Sequence, residues 1–190
     1  MRYRTLALIA TGFLTTAPAW SADIEGIARA CNNCHGTGGT SVGHSMPSIA
    51  GQSETYLKNI MMQWKSGERA SANMTRLIKG YTDEEIAGLA AYFAKQPWKP
   101  QVQAVSADIL KKGKEATDAC STCHGVTGGE PDEEDTPKLN GQWAKYMELE
   151  LMKYRDESFK MTDKKMIKYA RKMEAGDVET AAKYYGAQSK

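Results

Sequence analysis

The stretch Cys31-Asn32-Asn33-Cys34-His35-Gly36 returns 89 positions later as Cys120-Ser121-Thr122-Cys123-His124-Gly125, and together the two hold all 4 cysteines of the chain. No other feature limits the possible folds so tightly. Pro47-Ser48-Ile49-Ala50-Gly51-Gln52 recurs 90 positions on as Pro137-Lys138-Leu139-Asn140-Gly141-Gln142, with Tyr56 matching Tyr146. Met74 and Tyr92 match Met166 and Tyr184 at a spacing of 92. A spacing that grows slowly along the chain marks one unit copied twice, with small loop insertions. Residues 31–96 and 120–188 carry the two copies.

Each copy reads as helical. Asp23 to Cys34 and Ser106 to Cys123 run as helices into the cysteine motifs. Tyr56, Leu57, Ile60, Met61 and Trp64 fall on one face of a second helix, which Trp143 to Tyr154 repeats. Thr82-Asp83-Glu84-Glu85 is a capping box opening a third helix, with Gly176-Asp177 as its weaker counterpart. Gly-rich loops lie between, and no alternating strand pattern is visible. Pro97 and Pro100 disfavour helix across 97–105, so the chain divides into a domain over 23–96, a linker over 97–105 and a domain over 106–190. Three helices in about 80 residues bury only a thin core, and units of this size need a staple.

The staple is written in the motif. In C-x-x-C-H the cysteines at i and i+3 share a helix face, so both thiols can reach the two vinyl groups of one porphyrin. The adjacent histidine then supplies a neutral imidazole nitrogen to the iron. Two copies that use every cysteine predict two haem c, attached through Cys31 and Cys34 and through Cys120 and Cys123, with His35 and His124 as iron ligands. A zinc site would take both histidines from that role, and disulfides within each motif would close only tight local loops. Pro47 and Pro137 are placed to offer a carbonyl to the second nitrogen of each imidazole.

A distal methionine raises the reduction potential for electron transfer. Among 10 methionines, Met61, Met62, Met147 and Met152 read as core filler and Met173 as a helix-face residue. Met74 lies in a polar stretch where a loop can cross the haem face, and the repeat spacing selects Met166, with Met161 as its rival. His44 is the one histidine outside the motifs and a further alternative as a distal ligand. A dihaem peroxidase needs an open position at one iron, which methionine at both argues against.

Arg2 and Arg4, an apolar run from Leu6 to Leu14, and Ala17-Pro18-Ala19 have the layout of a secretory signal peptide, expected over residues 1–22 and cut after Ala19 or Ala22. Its apolar core is far short of the ~20 residues of a membrane span. Removing it leaves 23 basic and 23 acidic side chains, which excludes the polybasic footprint of a nucleic-acid binder. Two charge runs remain, Glu130 to Asp135 and the basic stretch Lys160 to Lys172, either solvated faces or a docking rim.

These residues resemble the dihaem cytochrome subunit of flavocytochrome c sulfide dehydrogenase over nearly the whole mature chain. The haem motifs and the Gly-Gln pairs are shared with the dihaem carriers of the cytochrome c4 group. Lys65-Ser66-Gly67-Glu68 and the acidic Glu133-Glu134-Asp135 favour the sulfide dehydrogenase subunit. The resemblance implies an all-α pair of tandem cytochrome c domains, each wrapped around one covalently bound haem, with His/Met ligation by His35, Met74, His124 and Met166. It implies a periplasmic heterodimer with an FAD-binding flavoprotein, which oxidises sulfide and passes electrons through the haems to an external acceptor such as a soluble cytochrome. No substrate chemistry is then expected on this chain. The alternative is a free-standing dihaem carrier between a respiratory complex and a terminal oxidase.

Overall fold

The computed structural model describes residues 23–190; the expected signal peptide lies outside them. Among the described residues the chain is helical, with no strand. Helices α1 (Ile24–His35), α2 (Glu54–Ser66), α3 (Met74–Leu77) and α4 (Asp83–Ala94) form the first half. Helices α5 (Ala107–Ala116), α6 (Asp118–His124), α7 (Ala144–Arg155), α8 (Lys164–Lys172) and α9 (Ala175–Gly186) form the second. No helix among the described residues is long and apolar enough to cross a membrane.

Local signals set the helix starts. Asp23 caps α1 by accepting from the Gly26 N–H at 3.0 Å, and the Thr82–Glu85 capping box opens α4 as expected. In the first half α4 packs on both α1 and α2, burying Ile86, Leu89, Ala90 and Phe93 against Ala28, Leu57, Ile60 and Met61. In the second half α9 packs on α5 and α7, with Met147, Ala182, Tyr184 and Tyr185 buried together. Each crossing of first and last helix runs over a glycine. A Cβ on Gly88 would lie 2.6 Å from Ile24 Cδ1, and one on Gly113 would lie 2.4 Å from Tyr184 Cβ.

Four expectations need correction. The helix expected over Ser106 to Cys123 breaks at Thr117, a buried residue with φ −102 and ψ 7, whose hydroxyl and N–H both donate to the Gly113 carbonyl, at 2.7 Å and 2.9 Å, a back-bonding that bends helices. Met74 lies on a short helix, not in a loop. The last helix begins at Ala175, ahead of the Gly176-Asp177 start. Met61 and Met147 are buried and Met62 packs against the core, but Met152 is 54% exposed on the outer face of α7, and Met173 lies just past the end of α8.

Residues 97–105 hold no helix, yet they form a strap rather than a loose tether. The Gln101 N–H donates to the Gly141 carbonyl at 2.7 Å, Trp98 Nε1 donates to the Asn140 carbonyl at 3.2 Å, and Gln103 Nε2 donates to the carbonyls of Gln142 and Gly186. The strap crosses Gly51 and Gly141, both at positive φ, where a Cβ would fall 2.5 Å from Trp98 N and 2.4 Å from Pro100 Cβ. Only glycine suits both the dihedral angle and the closeness.

The two halves meet through a reciprocal clasp. Gln52 Nε2 donates to the Lys138 carbonyl and Gln52 Oε1 accepts from the Lys138 N–H, both at 2.9 Å. Gln142 treats Ser48 in the same way, at 2.9 Å and 3.0 Å. Beside this clasp Arg69 is buried, donating to Tyr154 OH at 2.7 Å and to Glu150 Oε2 at 3.1 Å, with its guanidinium 5.1 Å from the centre of the Tyr154 ring.

Candidate functional site

Helix α1 carries Cys31, Cys34 and His35 in its last turn, and α6 carries Cys120, Cys123 and His124 in the same arrangement. All four cysteines are free thiols, and burial pushes those of Cys31 and Cys120 up. His35 Nδ1 lies 2.9 Å from the Pro47 carbonyl and His124 Nδ1 lies 3.0 Å from that of Pro137. A carbonyl only accepts, so Nδ1 carries the hydrogen and Nε2 keeps its lone pair. Burial holds both imidazoles below the usual histidine range, partly offset by the proline carbonyls and, at His124, by Asp132 and Asp163. Each ring is therefore neutral, oriented and ready to donate electrons through Nε2.

The two methionines share one local hydrogen-bond pattern. Met74 opens α3, and its N–H donates to Ser71 Oγ three residues back at 3.2 Å. The Met166 N–H donates to Asp163 Oδ1, again three residues back, at 2.9 Å. Each short helix rests on the helix that precedes it, α3 on α2 and α8 on α7. Met161 precedes that cap, in a segment stitched to the first half, where the Lys160 carbonyl accepts from the Ala70 N–H at 2.8 Å and Thr162 Oγ1 donates to Gln63 Oε1 at 2.6 Å. His44 instead stacks against Trp143, with ring centres 4.5 Å apart.

The residues present fit a haem in each half. The thiol pair and the oriented imidazole are the donor set that covalent attachment and iron ligation require. Trp64 Nε1 is buried without a hydrogen-bond partner, and a porphyrin propionate would supply the missing acceptor. Zinc fits less well, because no group of three or more His, Cys, Asp and Glu comes together among the described residues. The charge runs are partly satisfied within the molecule, since Lys165 lies 3.5 Å from Glu133 and Thr55 Oγ1 donates to Glu134 at 3.0 Å. Sequence reasoning missed what Gln52, Gln142 and Arg69 do. The repeated Gly-Gln pair was the available signal for the glutamines, whereas nothing local distinguishes Arg69 from a surface arginine.

Residues 10–93 match the family model described as cytochrome C oxidase, cbb3-type, subunit III. Cytochrome c4 of Pseudomonas aeruginosa is 35% identical over 136 residues, 68% of each chain. The cytochrome subunit of sulfide dehydrogenase from Chlorobaculum tepidum is 39% identical over 90 residues, 43% of this chain and 81% of that one. Among solved structures, reduced recombinant cytochrome c4 from Pseudomonas stutzeri superposes with a TM-score of 0.77 at 26% identity, covering 87% of this chain and 96% of that one. The cytochrome c4 structure covers enough of the chain to take in both C-x-x-C-H halves, whereas the sulfide dehydrogenase match covers less than half of the chain. Two all-helical cytochrome c units in one chain, each set to hold a haem c, thus agree with sequence and fold comparison alike: the chain belongs to the cytochrome c4 family of dihaem electron carriers.

Proposed function

We propose that the chain is a two-centre electron relay, with one haem c on Cys31 and Cys34 and the other on Cys120 and Cys123, ligated by His35 with Met74 and by His124 with Met166. The observation that carries this reading is the matched pair of neutral imidazoles, each with Nδ1 committed to a proline carbonyl and Nε2 left free. The repeat spacing that pairs Met74 with Met166, and the bond that each N–H makes to a side-chain oxygen three residues back, support Met166 over Met161. When bound, the iron supplies a one-electron couple. The chain's own part is to fix each imidazole's tautomer and ring plane, to offer a soft thioether opposite, and to keep water out with the apolar faces of α2, α4, α7 and α9.

The halves act as domains over 23–96 and 106–190, joined by the strap, in a protein exported to the periplasm after loss of residues 1–22. A free-standing carrier is the better-supported role. Similarity to cytochrome c4 covers more of the chain than similarity to the sulfide dehydrogenase subunit, which supports this role. The second reading, a cytochrome subunit fed by an FAD-binding sulfide-oxidising flavoprotein, is favoured by the Chlorobaculum tepidum match and by the acidic run. Purification of the native protein, with mass spectrometry of whatever co-elutes with its haem, separates the two. A chain that elutes alone, unreduced by sulfide, is the carrier. A stoichiometric FAD-containing partner, with haem reduction on adding sulfide, is the subunit. Absence of haem would refute both.

A further inference from the structure

The Pro47 carbonyl and the Ser48 N–H belong to one peptide group, and that group is held from both ends. Its oxygen accepts from His35 Nδ1 at 2.9 Å, while its N–H donates to Gln142 Oε1, from the other half, at 3.0 Å. The peptide joining Pro137 to Lys138 is held identically, by His124 Nδ1 at 3.0 Å and by Gln52 Oε1 at 2.9 Å. Both glutamines are buried at 3% exposure. Each uses its Nε2 to donate to the carbonyl on the far side of the same residue, and Gln142 Oε1 also accepts from the Trp143 N–H at 3.1 Å. The amide is thus fixed in place and aimed.

We propose that Gln142 and Gln52 are positioning residues for the redox centre of the opposite half: each sets the strength and direction of the hydrogen bond by which a proline carbonyl orients the other half's imidazole. This rests on His35 and His124 being the iron ligands. An amide whose N–H is engaged by an acceptor is polarised, and its carbonyl accepts more strongly, by about 10–30% per bond. A stronger bond to Nδ1–H raises the basicity of the ligating nitrogen. That basicity favours oxidised iron, so the glutamine of one half holds down the potential of the haem in the other. A purely adhesive contact could lie anywhere along the interface. Here it falls, in both directions, on the peptide that holds the imidazole.

The test uses the haem-loaded protein with each potential assigned to its half by NMR. Gln142→Met raises the potential of the His35 haem by a factor of about three in the reduction equilibrium, ~28 mV at about 59 mV per decade for one electron, and leaves the His124 haem in place. Gln52→Met does the reverse. Ser48 N–H exchange accelerates in Gln142→Met, and Lys138 N–H exchange accelerates in Gln52→Met. Gln142→Glu keeps an acceptor for Ser48 and does not raise the His35 haem. Gln52→Met and Gln142→Glu carry the test if Gln142→Met fails to fold. Equal shifts at both haems, a shift confined to the variant's own half, or no shift overturns the inference. The ligand assignment fails separately, in the unaltered protein, if the iron does not shift the imidazole resonances of His35 and His124; the inference then falls with it.

Discussion

Arg69→Met is the substitution whose cost the structure sets most directly. Arg69 is 6% exposed, and its two guanidinium contacts go to Tyr154 OH at 2.7 Å and Glu150 at 3.1 Å. Methionine fills similar volume but leaves the Glu150 carboxylate, itself 20% exposed, without its closest buried cation. Removing one partner of a buried pair costs about 3–5 kcal/mol. Glu150 keeps Lys153 as a second cation and some contact with water, which places the loss at the lower end, about 3 kcal/mol. Urea unfolding of the haem-loaded protein, followed by far-ultraviolet circular dichroism, measures it. A loss below about 1 kcal/mol would refute the view that this pair is held in a low-dielectric seam. Arg69→Met with Glu150→Leu should recover most of the stability, because no charge is then stranded. A double variant as weak as the single one would place the cost in packing instead.

Met74→Ala and Met166→Ala should each leave haem attached while turning one iron high-spin or drawing in another ligand, and Met161→Ala should change nothing; visible and electron paramagnetic resonance spectra decide. Gly113→Ala should destabilise by about 1–3 kcal/mol, because its Cβ meets the stiff Cβ of Tyr184 at 2.4 Å. Gly88→Ala should cost less, since Ile24 Cδ1 is a movable tip, and thermal melts that reverse this order would contradict the packing. Burial raises Tyr56 and Tyr146 above the usual phenol range, so the folded state keeps protons that the unfolded chain releases near about pH 10. Their contribution is complete below that pH and is lost as pH climbs toward the folded values. Phe at both positions should therefore move alkaline unfolding upward, and an unchanged midpoint by circular dichroism would contradict this.

Much of the site was legible because its chemistry is local. The C-x-x-C-H motifs place thiols and imidazole within one helical turn, the capping box lies within four residues, and the proline carbonyls sit 12 and 13 residues from their histidines at matching points of the repeat. What stayed hidden depends on contacts between distant residues. Gln142 and Ser48 are 94 positions apart, and Arg69 reaches residues more than 80 positions away. No periodicity reports such pairs. The break at Thr117 coincides with a hydroxyl bonded back to its own helix, which the residue type permits but does not decide. Met152 misled because a flexible thioether suits a core and an outer helix face equally well.

The glutamine clasp reads only main chain on its partner, and each half both gives and receives it. That is the geometry of an isologous contact, in which one surface is its own complement. A chain with a single such unit would already possess everything needed to pair with its own copy, and fusing two copies turns that encounter into an intramolecular one. Arg69 breaks the symmetry, since Ile60 stands where the mate of Glu150 would be and cannot answer a second arginine. With this contact made in one direction only, the halves of the fused chain have been free to diverge while the clasp keeps them in register.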